Sequence, residues 1–325
     1  MQSEQLILKL LKIKRKSEHL SLFRKHINLL DLEFARNLKN TYYKSWTNEP
    51  QKTRNAATAL KALTKILPGK EIEALAEWVN GIADLTEGKL KKTVNDLDKS
   101  AAIFRQIGNE HDAAQTQVAK LIALALLGKY PEAITTGKSA LKIFEKFGYE
   151  LAAGKIEKNL GNIAARQGDE KLAEKFYLSA HKRFISLDDK SELTMNDNSL
   201  ANTYAELNSF QKAEQFYSAA LENARLAKMF VTEAEIEASM GNLAFFRGKY
   251  SDALHFLELS RRKYEELAMP HQTAIADLEI ADIYLELNLA DEAFSIYERI
   301  AGEFKKLKMR GEEARTRANF GRAAV

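Results

Sequence analysis

A strict 40-residue period constrains this chain more than any other feature. With the register set on a small residue, Thr93, Ala133, Ala173, Ala213, Ala253 and Ala293 follow one another at that interval without an insertion. Five residues before each stands Gly88, Gly128, Gly168, Asn208, Gly248 or Asn288. Glycine and asparagine enter the left-handed backbone region at least cost, so a helix is expected to stop at each. A second small position recurs at Gly81, Gly161, Ala201, Gly241, Ala281 and Gly321, broken by Leu121. Bulky groups return at Leu97, Tyr177, Tyr217, Leu257 and Tyr297, and small ones at Ser100, Ala140, Ala180, Ala220 and Ser260. Spacings of three and four place these groups on one helical face. Each unit then reads as an antiparallel pair of helices that buries its face only by stacking on its neighbours.

The 325 residues are therefore expected to form one elongated all-α array rather than separate globular domains. Residues 71–310 hold six clear units. Residues 1–70 read as a helical cap: one or two amphipathic helices over residues 4–30, then a degenerate unit with Pro50 opening its second helix and Pro68-Gly69 closing it. Residues 311–325 open a seventh unit whose second helix is absent, which suggests a piece of a longer protein and a fraying C-terminal helix with Phe320 unpaired.

Zero cysteines exclude disulfides and thiolate chemistry and fit a reducing compartment. The opening residues carry lysines threaded through leucines, with neither a signal-peptide core nor a spanning segment, so a cytoplasmic protein off the membrane is expected. Charge is uneven: residues 1–70 hold 15 Lys and Arg against 5 Asp and Glu, the remainder 34 against 40. That pattern fits a basic cap on an acidic array, or a polyanion site in which Tyr42, Tyr43 and Trp46 stack on bases. Nucleic-acid binding through residues 1–70 is thus the rival reading of function. The six histidines form no HExxH, and there is no P-loop and no GxGxxG. No enzyme activity, metal or cofactor is expected.

Paired helices, glycine at the small position, alanine after the turn and tyrosine four residues later make these units resemble tetratricopeptide repeats, in the longer subtype of about 40 residues. The stretches ALALLGKYPEAI, KNLGNIAARQGD, NSLANTYAELNSFQKAEQFY and ADLEIADIYLELNLADEAFSIYERI are similar to the repeat region of large bacterial proteins that carry a caspase-like CHAT domain. That likeness implies a right-handed superhelical solenoid. It also implies a C-terminal effector domain whose His and Cys dyad this chain lacks, so no catalytic residue carries over.

One stripe of the first helices is left over from packing, at unit positions 5, 8, 12 and 16, and the resemblance puts it on the concave, ligand-holding side. It begins apolar, with Leu75, Trp78, Ile82, Val118, Ile122 and Leu126. Such a patch should not stay open to water, and the segment from Leu6 to Ile13, or a partner, is expected to cover it. The stripe turns basic at Lys155, Lys158 and Arg166, flanking Asn162. It continues through Asn198, Asn202 and Asn242 to Phe245 and Phe246. Asparagine donates and accepts at once, as a peptide backbone requires, though it can equally serve the repeat's own packing. These nine residues form the expected peptide groove of a scaffold or sensor arm, selective for an acidic and then apolar ligand.

Overall fold

The computed structural model describes residues 3–41, 49–307 and 309–323. These contain 17 α-helices, one short 3-10 turn at Ile27–Leu29 and no strand. Helices α1 (Ser3–Leu10), α2 (Lys16–Lys25), α3 (Leu32–Asn40) and α4 (Pro50–Leu63) precede the regular part. The regular helices begin with α5 (Lys70–Thr86), α6 (Leu90–Gln106), α7 (Glu110–Leu126), α8 (Tyr130–Lys146) and α9 (Glu150–Arg166). They continue as α10 (Glu170–Ser186), α11 (Lys190–Glu206), α12 (Phe210–Leu226), α13 (Phe230–Phe246), α14 (Tyr250–Glu266), α15 (Pro270–Glu286), α16 (Ala290–Lys306) and α17 (Arg310–Ala323). The chain divides into two compact units, Met1–Arg166 with α1–α9 and Gln167–Val325 with α10–α17. From α4 onward, consecutive helices within each unit pack side by side, and the fold class is the all-α, tetratricopeptide-like array of helix pairs.

The local beat is 20 residues, half the period visible in the sequence. Every helix from α5 to α16 has 17 residues, and three residues join it to the next. The middle linker residue is left-handed from Gly88 through Asn288, and alternate sites are held by Gly108, Gly148, Asp188, Lys228 and Ala268. The linkers close in one way: Gly88 N–H donates to Leu85 at 3.0 Å and Lys89 N–H to Asp84 at 2.9 Å, satisfying carbonyls that the helix end would leave open. Prolines sit where a missing N–H costs nothing, at the first turns of α4, α8 and α15.

The pairs interlock through a small residue facing a bulky one. A Cβ added to Gly81 would lie 2.9 Å from Leu97 Cγ, and one added to Gly241 would lie 2.7 Å from Leu257 Cγ. Only glycine admits so close a neighbour. The break at Leu121 is compensated within its own pair. There the bulky side chain sits on α7, and the position on α8 that is elsewhere Leu or Tyr is Gly137, whose added Cβ would meet Leu121 Cδ1 at 2.5 Å. Knob and hole have changed places. Buried aromatics recur near the ends of the second helices, as Phe104, Phe144, Phe184, Tyr264 and Phe304. At the C-terminal end Phe320 is not alone, because its ring lies 4.2 Å from that of Phe294 and it packs on the cluster around Tyr297.

Candidate functional site

The stripe at positions 5, 8, 12 and 16 behaves differently along the first unit. On α5 it is sealed: Leu75, Trp78 and Ile82 are 0%, 1% and 3% exposed. The cover is α3 rather than the expected segment from Leu6 to Ile13. Helix α3 packs on both α4 and α5, whereas α1 packs on α4, with Asn55 Nδ2 donating to the Leu11 carbonyl at 2.7 Å. Helix α3 presents Phe34, Ala35 and Leu38 inward. Its Lys39 ammonium sits 3.9 Å from the centre of the Trp78 ring. Arg36 pairs with Glu71 of α5 and, at 3.2 Å, with Asp112 of α7. Burial pulls the Lys39 pKa down to about 8; Asp112 opposes that shift, and the positive charge of Arg36 adds to it. Arg54 of α4 pairs with Asp84, so part of the N-terminal positive charge is spent inside the fold. Tyr42, Tyr43 and Trp46 lie outside the described residues.

Past α3 the stripe opens. On α7, Gln115, Val118 and Ile122 are half-buried and Leu126 is 51% exposed. On α9, burial of Ile156, Leu160 and Ile163 turns the opposite side outward, leaving Lys155, Lys158 and Asn162 half-buried and Arg166 exposed. This half of the expected site is accessible, basic and contiguous along one helix.

The second unit carries the other five residues. Asn198 is half-buried, and its Oδ1 has no hydrogen-bond partner among the described residues. Asn202 is exposed yet employed, since its Oδ1 accepts from the hydroxyl of buried Tyr217. Asp282 accepts from Tyr297 in the same way at 2.7 Å. At this position the polar residue therefore anchors a tyrosine from its own pair, which is the packing alternative. Asn242 Nδ2 donates to Glu279 at 3.1 Å. Phe245 is half-buried against Tyr250 at 6.0 Å, whereas Phe246 is 72% exposed, with its ring 5.9 Å from Phe210. The Arg247 guanidinium lies 5.4 Å from the Phe210 ring.

The structure adds polar groups that the sequence reading passed over. Burial raises the pKa of both Glu235 and Glu279, offset at Glu279 by the Asn242 amide. A buried acid recurs at unit position 7 as Asp197, Glu237 and Asp277, each met by a basic side chain or an imidazole from a second helix. His181 Nδ1 lies 2.7 Å from Asp197, Arg225 Nη2 3.2 Å from Glu237, and Arg299 Nη1 2.9 Å from Asp277. Lys263 also pairs with Glu237. Their 40-residue spacing was the available signal. Among the described residues no three His, Cys, Asp or Glu side chains are grouped to hold a metal, and no helix is long and apolar enough to cross a membrane.

No family model matches the chain, and no curated protein matches it. Solved structures do share its fold. The Rap conjugation gene regulator of plasmid pLS20, in complex with the Phr* peptide, superposes with a TM-score of 0.63 at 17% identity, covering 87% of this chain and 78% of that one. The apo form of the quorum sensor NprR from B. thuringiensis gives 0.61 at 15% identity, covering 99% and 97%. The STAND protein PH0952 from Pyrococcus horikoshii, which has a tetratricopeptide repeat sensor, gives 0.63 at 15% identity, covering 95% and 54%. At these identities the likeness establishes the helical-repeat fold.

Proposed function

We propose that the chain is a non-catalytic scaffold or sensor arm that binds protein or peptide segments on the exposed faces of its first helices. In this reading it works in the cytoplasm as the recognition part of a larger effector of the CHAT-bearing bacterial kind. The observation that carries it is α3: where the chain lays a helix of its own on this face, Trp78 and Ile82 are sealed, and where it does not, Leu126 and Phe246 stand open. The solved complex of the pLS20 Rap regulator with a peptide supports the same reading by its shared fold. Lys155, Lys158, Asn162 and Arg166 supply cationic and amide donors in the first unit. In the second, Asn198, Asn242 and Phe246 offer amide and aromatic contacts, beside exposed Asn202, whose Oδ1 is engaged by Tyr217, and half-buried Phe245.

Two charge-assisted hydrogen bonds at roughly 1.5–3 kcal/mol each, plus amide contacts, sum to about the 8 kcal/mol of micromolar binding. Ordering costs hold the net affinity there or below. The test is selection from a random peptide library against the whole chain, followed by affinity measurements on the selected peptides. Binders weakened about tenfold by Lys155→Glu with Lys158→Glu, or by Phe246→Ala, at unchanged helicity, support the reading. Binders indifferent to both variants place recognition elsewhere.

A further inference from the structure

The first unit already shows what kind of object its first-helix face accepts. Helix α3 sits there with an apolar edge, Phe34 and Leu38, pressed inward, and a basic edge, Arg36 and Lys39, set against Glu71, Asp112 and the Trp78 ring. A basic amphipathic helix thus lies on an apolar floor with acidic flanks. The floor does not stop where α3 stops. Ile122 packs at the margin of the same apolar cluster as Trp78 and Ile82, and the stripe continues along α7 with Val118 and Ile122 half-buried and Leu126 51% exposed.

What flanks this open part is of the opposite sign. Helix α9 packs beside α7 and presents Lys155, Lys158 and Arg166 on the adjoining stripe. Packed helices lie about 8–10 Å apart and a helix with side chains is about 10 Å across, so the α7–α9 surface is one helix wide. Resting on the peptide-binding reading above, we propose that the open faces of α7 and α9 form a second berth, beside α3, for an acidic amphipathic α-helix of a partner protein. Its apolar residues, at spacings of three and four, lie on Val118, Ile122 and Leu126, and its carboxylates face Lys155, Lys158 and Arg166. Continuity with the α3 contact sets the helical form, and the exchange of flanking charge sets the acidic sign.

The test uses the full chain and three labelled synthetic 18-residue peptides read by fluorescence anisotropy. One is an amphipathic helix with Leu on one face and Glu along one flank, one its twin with Lys for Glu, and one a scramble of the first. The acidic helix should bind at least about tenfold tighter than either control. Leu126→Asp should cost about tenfold, and Lys158→Glu with Arg166→Glu should reverse the preference between the acidic and basic helices. Both variants alter accessible residues, and circular dichroism checks that helicity is retained. Equal binding of the three peptides, or indifference to both variants, overturns the berth. If library-selected peptides bind and map to the second unit while the acidic helix fails, this inference falls and the peptide-binding reading stands. A concentration-dependent dimer in light scattering, abolished by Leu126→Asp, overturns the partner helix in favour of a second copy of this chain.

Discussion

The exchanged pair Leu121 and Gly137 allows the packing account to be tested by arithmetic. Leu121 is 1% exposed, and truncating such a leucine to alanine costs about 2–5 kcal/mol. Going on to glycine inside a helix adds about 1 kcal/mol, so Leu121→Gly should cost about 5 kcal/mol. Gly137→Leu fails for the opposite reason. Its Cβ alone would stand 2.5 Å from Leu121 Cδ1 and 2.8 Å from Leu160 Cδ2, and overpacking of that kind costs about 1–3 kcal/mol. If the two positions are knob and hole, Leu121→Gly with Gly137→Leu restores the arrangement of the pairs Gly81–Leu97 and Gly241–Leu257, with total apolar volume conserved. Only the adjustment of Leu160 then remains to be met. The double variant should be more stable than the sum of the single effects by about 3 kcal/mol, near the top of the range for touching residues. Urea unfolding of the four proteins, followed by far-ultraviolet circular dichroism, gives this coupling. Additivity to within about 0.5 kcal/mol would refute the interlocking.

Further outcomes follow from the linkers, the cap and the buried acids. Ala268 holds a left-handed conformation at φ 53°, so Ala268→Gly should stabilise by about 1 kcal/mol, whereas Asn288→Gly, at φ 58° in a residue that tolerates this region, should change little. Thermal unfolding of both variants checks this. Lys39 titrates at about 8 in the folded chain against 10.5 ordinarily, so between those values the unfolded chain binds more protons and stability rises with pH. The gain is about 3 kcal/mol across the window, and the rise should vanish from the pH dependence of unfolding in Lys39→Met. His181→Ala leaves buried Asp197 with the Asn196 amide at 3.2 Å but without its imidazole partner, at a cost of about 2 kcal/mol in urea unfolding.

The 40-residue beat was legible because the helix-end residues and the small packing residues repeat as residue types. The 20-residue beat was not. Alternate linkers use the same left-handed geometry through Gly108 and Gly148 and then Asp188, Lys228 and Ala268, and a fixed three-residue connection imposes that conformation whatever side chain it carries. The accessible stripe could be read from spacing, because positions left over from packing must face outward. The duty of Asn202 could not, since it depends on the reach of Tyr217 across the helix pair; tyrosine 15 residues after the polar residue, as again from Asp282 to Tyr297, was the clue. The occupant of the apolar front was misread for a related reason. Leu6–Ile13 has the stronger apolar pattern, but α3 can offer Arg36 to Glu71 and Asp112 while its Phe34 and Leu38 are buried, and only tertiary geometry reveals that match.

The central claim is that partners sit on the open faces of the first helices and that the second helices serve packing. Its most direct test is photo-crosslinking of a library-selected peptide to the full chain, with the attachment points read by mass spectrometry. The account predicts attachment on the stripe of α7 and α9, around Leu126, Lys158 and Arg166, or on that of α11 and α13, around Asn198, Asn242 and Phe246. Attachment confined to α6, α8, α12 and α14, or to the linkers at Ile107, Phe147 and Leu187, would contradict it.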